Sequence, residues 1–134
     1  GTPLRAQTGK LVDVNLAAES ELQQLPNMTP AIAKGMVARR PFKTVVDLNK
    51  FLLDQKLTPV QTKTFYGKAF IPINLNTGTK DEFLLIPGVG VRMSAEFAEY
   101  RPWKPWAQID KEIGKYVGQT ETDRLKLYFF IPGT

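Results

Sequence analysis

Residues 82–93 read EFLLIPGVGVRM and residues 21–32 read ELQQLPNMTPAI, so one pattern of acidic, apolar and turn residues occurs twice, 61 positions apart. The same register extends outward through matched positions: Asn15 with Asn76, Arg40-Pro41 with Arg101-Pro102, and Lys43 with Lys104. Near the end of each copy the offset falls to 60, where FIP at 70–72 matches FIP at 130–132. Two copies are too few for an open solenoid, which needs about three or more repeats. The repeat therefore predicts a pair of small globular units.

Composition excludes several kinds of active site. The chain has 134 residues with no cysteine and no histidine, which removes disulfides, thiolate metal sites, thiol nucleophiles and imidazole bases. No apolar run reaches the length of about eighteen residues that would predict a membrane-spanning helix. We therefore expect a protein that is not an enzyme, with no catalytic residue, no metal site and no cofactor.

Positive charge is concentrated in the first copy. The formal net charge is +5, which favours anionic partners. Residues 11–72 contain eight basic and five acidic residues, whereas residues 73–134 contain eight of each. The whole surplus thus precedes the second copy.

Each copy is predicted to be all-α, with four short helices. Residues 11–14 (LVDV) and 71–75 (IPINL) alternate as a strand would, but their brevity and Pro72 favour an extended lead that inserts Val14 or Leu75 into a helical core. The order that follows is helix–turn–helix, a bend at Arg-Pro, and a second helix–turn–helix. The predicted organisation is a flexible lead-in at 1–10, one unit at 11–72 and a second at 73–134.

Capping signals place the starts of three helices. Thr29 followed by Pro30 predicts an N-cap with proline at the first helical position. Thr79 with Glu82 predicts a capping box, in which a hydroxyl and a carboxylate each meet an orphan backbone amide. Residues 120–123 (TETD) resemble a second box with aspartate in the acidic position.

The hairpin spacing resembles a known family. Residues 14–26 (VNLAAESELQQLP) look like the opening of ComEA-like helix-hairpin-helix domains, which typically run INxAxxxEL-xxLPGIG into a second helix. RPFK at 40–43 and RPWK at 101–104 are similar to the R-P-F/Y-K stretch of that family, and LTP at 57–59 is similar to a variant second hairpin of some bacterial members. The resemblance covers roughly residues 11–132 as two tandem copies, and it implies a SAM-like helical bundle.

What this resemblance implies is binding of double-stranded DNA without sequence preference. A Gly-x-Gly turn lets the backbone approach a phosphate, and amides at the start of the following helix donate to its oxygens. A nearby basic side chain adds charge attraction. The DNA-binding residues carried over are Gly88, Val89, Gly90 and Arg92 in the second copy and Asn27, Thr29 and Lys34 in the first. Related hairpins can hold a monovalent cation on backbone carbonyls, which is possible at Gly88–Gly90.

Several residues favour a structural interpretation. Arg40 and Arg101 are expected to cap the carbonyl end of the second helix and to pack over Phe42 or Trp103 rather than to contact phosphate. Trp103 and Trp106 are expected to pack in the core or between the copies, since base stacking requires unpaired nucleic acid.

Two classes of function remain open. The partner is either double-stranded DNA, bound weakly, or a protein bound by a scaffold that has lost its phosphate contacts. The resemblance points to an exported or periplasmic protein, while the residues leave compartment and oligomeric state undecided.

Overall fold

The structure, a computed structural model, describes residues 11–133. The predicted lead-in at residues 1–10 lies outside the described residues. The chain divides into two compact units with the boundary between Ile71 and Pro72. We call the part before this boundary unit 1 and the part after it unit 2. None of the described helices is both long enough and apolar enough to cross a bilayer.

Unit 1 contains four helices and two very short strands within the described residues. In chain order these are β1 Val12–Asp13, α1 Glu19–Leu22, α2 Pro30–Arg39, α3 Val45–Asp54, α4 Pro59–Tyr66 and β2 Ala69–Phe70. Thr29 caps α2 and is followed by proline, which confirms the predicted start of that helix. Leu22, Met36 and Leu48 are fully buried, while Leu25 and Val37 are half-buried.

Unit 2 follows the same order but divides its helices differently. Its elements are β3 Ile73–Asn74, α5 Lys80–Phe83, α6 Val91–Glu99, α7 Trp106–Glu112, α8 Gly114–Val117, α9 Gln119–Lys126 and β4 Phe129–Phe130. The prediction of four helices is therefore wrong for unit 2, where a separate single turn, α8, precedes the last helix. The capping box of Thr79 and Glu82 is confirmed.

The capping box predicted at residues 120–123 is wrong. Helix α9 begins at Gln119, with Gly118 as its N-cap and no side-chain cap. The backbone of Gly118, at φ 85°, turns the chain into the helix before Thr120 is reached.

The segments predicted to be extended leads contain two-residue strands. β1 pairs in parallel with β2, and β3 pairs in parallel with β4, so each lead joins the segment that follows the last helix of its own unit. The fold is mostly helical, in agreement with the predicted all-α character, and each unit adds a two-stranded bridge that the prediction did not include. Val14 and Leu75, one residue beyond the bridge strand in each case, are fully buried, which confirms their predicted insertion into the core.

An asparagine in each lead holds the bend after the second helix. Asn15 donates from Nδ2 to the Phe42 carbonyl at 2.9 Å and accepts from the Phe42 amide at 2.8 Å. Asn76 makes the corresponding pair of bonds with Trp103, at 2.8 and 2.6 Å. Trp103 itself is buried and donates from Nε1 to the Phe97 carbonyl, so its predicted place in the core is confirmed.

The arginines before the bends also have structural partners, although not the predicted ones. Arg40 donates to the carbonyls of Val14 and Ala17, at 3.0 and 2.6 Å, instead of to the end of α2. Arg101 donates to the carbonyls of Leu75 and Gly78, at 2.9 and 2.6 Å.

The rings that these arginines face were also mispredicted. The Arg101 guanidinium lies 5.6 Å from the centre of the Phe83 ring rather than over Trp103. In unit 1 the cation over Phe42 is Arg39, at 5.8 Å. Burial of Arg101 lowers its pKa. Both Arg40 and Arg101 thus tie the bend to backbone carbonyls at the end of the lead and just after it.

Candidate nucleic-acid interface

The first hairpin of unit 2 makes a tight turn between α5 and α6. Gly88 has φ +87°, a conformation that favours glycine. The Val89 amide donates to the Ile86 carbonyl at 3.0 Å, and its side chain is buried. Val89 therefore anchors the turn, and its predicted role as a DNA contact stays a prediction.

Gly90 is the N-cap of α6 and leaves the start of that helix open. The first helical bond runs from the Ser94 amide to the Gly90 carbonyl at 3.0 Å, so the amides of residues 91–93 precede it. No side chain caps them. A Cβ added at Gly90 would meet nothing within 4 Å, so the approach to these amides is clear. Such a helix start, with its positive dipole end, favours an anion.

A second open helix start lies at the other hairpin of unit 2. Gly118, the N-cap of α9, has a positive φ, and no side-chain cap is present there either. The Thr122 amide makes the first helical bond, to the Gly118 carbonyl at 3.0 Å, which leaves the amides of residues 119–121 ahead of it. The Gln119 side chain turns away, donating to Asp110 and Asp123. Both hairpins of unit 2 thus offer backbone donors.

The first hairpin of unit 1 has the same turn but a closed helix start. Asn27 occupies the position that Gly88 has in unit 2, with φ 64°, a conformation that asparagine tolerates better than most residues. The Thr29 hydroxyl accepts the Ile32 amide at 3.1 Å, and Pro30 has no amide to offer.

The second hairpin of unit 1 is closed in the same way. Thr58 and Gln61 form a full capping box, and Pro59 between them is the first residue of α4. At each of these two helix starts of unit 1, a side-chain cap satisfies one amide and proline replaces another, whereas the corresponding helix starts of unit 2, those of α6 and α9, lack a side-chain cap.

The basic side chains near these turns differ in how they are paired. Arg92 and Lys34, both predicted to contact DNA, are exposed and make no ion pair with a described carboxylate. Of the predicted residues, the structure groups Gly88, Gly90 and Arg92 at the start of α6, and Asn27, Thr29 and Lys34 at the start of α2. These are two separate sets, each within its own unit.

Arg124 holds the first hairpin of unit 2 in place, a structural role that sequence reasoning missed. Its Nη2 donates to the Pro87 carbonyl at 2.7 Å and to Glu121 at 2.6 Å, so it ties α9 to the first hairpin of unit 2. The hydrogen bond with Glu121 raises the pKa of Arg124, and the same bond lowers the pKa of Glu121. A Cβ at Gly88 would lie 2.8 Å from Nη2, so a larger residue there would displace the end of the Arg124 side chain. The only sequence signal is the (i, i+3) pairing of Glu121 with Arg124.

An open cleft of about 400 Å³ adjoins the start of α6. Gly90, Arg92, Met93, Glu96 and Tyr116 line it. The Glu96 Oε2 atom is buried without a hydrogen-bond partner, which places negative charge one turn behind the open amides. An anion at this helix start is therefore expected to bind on the Gly90 and Arg92 side of the cleft.

One comparison with known proteins found a match. A family model described as a helix-hairpin-helix motif matches residues 7–53. No curated protein and no solved structure matches the chain significantly. The matched stretch includes the capped hairpin from Pro26 to Pro30, so the motif is recognised in the unit whose first helix start is closed. Residues 7–53 thus contain a helix-hairpin-helix motif.

Proposed function

We propose that the protein binds double-stranded DNA without sequence preference, with the hairpins of unit 2 as the phosphate-contacting elements. Helix-hairpin-helix motifs commonly bind DNA in this way, which is consistent with the match in unit 1. The observation that carries the proposal is the uncapped start of α6, which the Gly88 turn presents with open space at Gly90.

Backbone amides make this mode of binding independent of sequence. Amides at a helix start reach phosphate oxygens, which are the same in every nucleotide, and no base edge takes part. Arg92 adds one charge beside the amides of residues 91–93. With so few contacts, we expect a Kd in the range of about 1 µM or weaker at physiological salt, typical of non-specific binding.

The second unit is proposed to be a tandem copy of the first, in a ComEA-like, SAM-like bundle. Supporting this, the Asn15–Phe42 and Asn76–Trp103 clamps recur at one offset. The parallel bridges that close each unit do so at nearly the same offset.

The proposal is for a binding protein rather than an enzyme. A monovalent cation at Gly88–Gly90 stays a prediction, although the Pro87 carbonyl already accepts a bond from the Arg124 guanidinium.

A second candidate function is a structural or protein-interaction module. The closed helix starts of unit 1 favour it, because Thr29 and Thr58 occupy amides that a phosphate would need. A scaffold that has no phosphate to bind gains stability from such caps.

Titration of a labelled duplex with the full-length protein decides between the two candidates. Two unrelated duplex sequences should give the same Kd, and log K should fall against log salt with a slope of roughly −2 to −4. Absence of salt-dependent binding, or a strong preference for one sequence, would contradict DNA binding of the proposed kind and favour the interaction module.

Arg92→Glu locates the contact, with Lys104→Glu as the matched control. Both residues are exposed cations of unit 2 without a described ion-pair partner. Arg92→Glu should weaken binding by about 1 kcal/mol or more while folding changes little, because exposed charges contribute little to stability. An equal loss in Lys104→Glu would show that only net charge matters and would remove the assignment to α6.

A further inference from the structure

Among the described residues, unit 1 has more exposed cations outside ion pairs than unit 2 has. The ion pairs among the described residues all lie in unit 2, where they link Lys115 with Glu112, Arg124 with Glu121, and Lys126 with Asp110 and Asp123. Unit 1 has several basic side chains that are exposed and outside any such pair: Lys34, Arg39, Lys43, Lys50, Lys56, Lys63 and Lys68. The net charge of this unit is thus carried by side chains that are free to meet an external anion.

Two of these lysines occupy the same position in the two hairpins. Residues 29–34 read TPAIAK and residues 58–63 read TPVQTK, so each capped helix start carries a lysine one turn further along. Lys34 and Lys63 are both the fifth residue of their helices, α2 and α4. The two hairpins touch, since Asn27 Nδ2 donates to the Gln61 carbonyl at 3.3 Å.

Unit 2 lacks this arrangement. The fifth residue of α6 is Ala95 and that of α9 is Asp123, which faces the Lys126 ammonium. The uncapped helix starts of unit 2 have no lysine at the fifth position. The helix starts of α2 and α4 in unit 1 have that lysine, together with one amide capped by a side chain and a proline at the first position. The two units therefore offer different groups to a phosphate: backbone amides in unit 2 and lysine side chains in unit 1.

We propose that unit 1 is a second DNA-contacting surface, which binds backbone phosphates through the ammonium groups of Lys34 and Lys63 rather than through hairpin amides. This inference rests on the proposed function, because it assigns one part of the same duplex contact. An ammonium group is a point charge on a flexible stem and needs no fixed helix start to reach a phosphate. An exposed, unpaired lysine also gives up no internal ion pair when it binds.

The salt dependence of duplex binding tests this assignment. Lys34, Lys63 and Arg92 together account for a slope of about −2.7, since each neutralised phosphate contributes about −0.9. In the full chain, the double variant Lys34→Gln/Lys63→Gln should make the slope shallower by about 1.8. Its thermal melt should be unchanged, because both side chains are exposed.

The matched control is Lys43→Gln/Lys50→Gln, which removes the same charge from exposed positions of unit 1 outside α2, α4 and their N-caps. This control should leave the slope nearly unchanged. An equal change in both double variants, or an unchanged slope in Lys34→Gln/Lys63→Gln, overturns the assignment while leaving duplex binding intact. If the unmodified protein shows no salt-dependent binding at all, it is the proposed function that fails.

Discussion

Replacing Gly90 by threonine would install in unit 2 the cap that closes unit 1. Gly90 and Thr29 both have extended backbone, with φ −103° and ψ −173° at the former and φ −121° and ψ 161° at the latter. A Cβ at Gly90 meets nothing within 4 Å. Threonine therefore fits, and we expect its hydroxyl to accept the Met93 amide as Thr29 accepts the Ile32 amide.

The structure separates the expected effect on stability from that on binding. Threonine and glycine are nearly equal as N-caps, so Gly90→Thr should change the free energy of unfolding by less than about 0.5 kcal/mol. If the Met93 amide binds phosphate, its loss removes a charge-assisted hydrogen bond worth about 1.5–3 kcal/mol. The Kd for duplex DNA should then rise about 10- to 150-fold.

Fluorescence anisotropy of a labelled duplex at low salt measures the Kd, and urea denaturation followed by circular dichroism measures the stability. Gly90→Ala is the control, because it adds a Cβ but leaves the Met93 amide uncapped. A Kd within twofold of the unmodified protein, in a folded Gly90→Thr variant, would refute the role of the open helix start. An equal loss in Gly90→Ala would assign the effect to steric exclusion instead.

Other substitutions test the parts of the structure that support the hairpins. Gly88→Ala should destabilise unit 2 by about 2–4 kcal/mol in urea, through strain at positive φ and displacement of the Arg124 guanidinium; an unchanged midpoint would contradict this packing. Asn76→Ala removes both bonds to Trp103 and should cost about 2–3 kcal/mol, with Asn15→Ala expected to cost a similar amount in unit 1; unequal losses would show that the two clamps differ. The lowered pKa of Glu121 means that its pair with Arg124 stabilises unit 2 above the usual carboxyl pKa of 4.5 and that this contribution is lost as the pH falls through the lower folded value. Because both side chains are about a third exposed, Glu121→Gln should cost less than about 1 kcal/mol at pH 7 and nothing at low pH, as thermal melts at the two pH values would show.

The sequence alone predicted the features that depend on near neighbours in the chain. Thr29-Pro30 and the Thr79–Glu82 box are correct as helix starts because a cap is formed by residues within four positions of one another. The positive φ of Asn27 follows equally from local sterics. The burial of Val14 and Leu75 followed from alternation of apolar residues.

Only the tertiary structure decided which segments meet across long separations. The bridge between Val12 and Ala69 joins residues whose pairing no local pattern indicates, since a two-residue strand has too little alternation to specify a partner. The donation from Arg124 to the Pro87 carbonyl, on which the shape of the first hairpin of unit 2 depends, likewise crosses from one hairpin to another.

The position and capping of the helix N-termini depend on both local sequence and tertiary packing. Residues 120–123 have the composition of a capping box, yet α9 begins at Gln119 because the Gly118 backbone turns into the helix first and Thr122 is buried with its hydroxyl on the Gly118 carbonyl. A capping motif shows where a helix can begin. Which of the possible helix starts is used depends also on the burial of neighbouring residues. The helix-hairpin-helix pattern could therefore be predicted from the sequence. The difference between the uncapped helix starts of unit 2 and the capped helix starts of unit 1 required the three-dimensional structure, because it depends on which acceptor each backbone amide reaches.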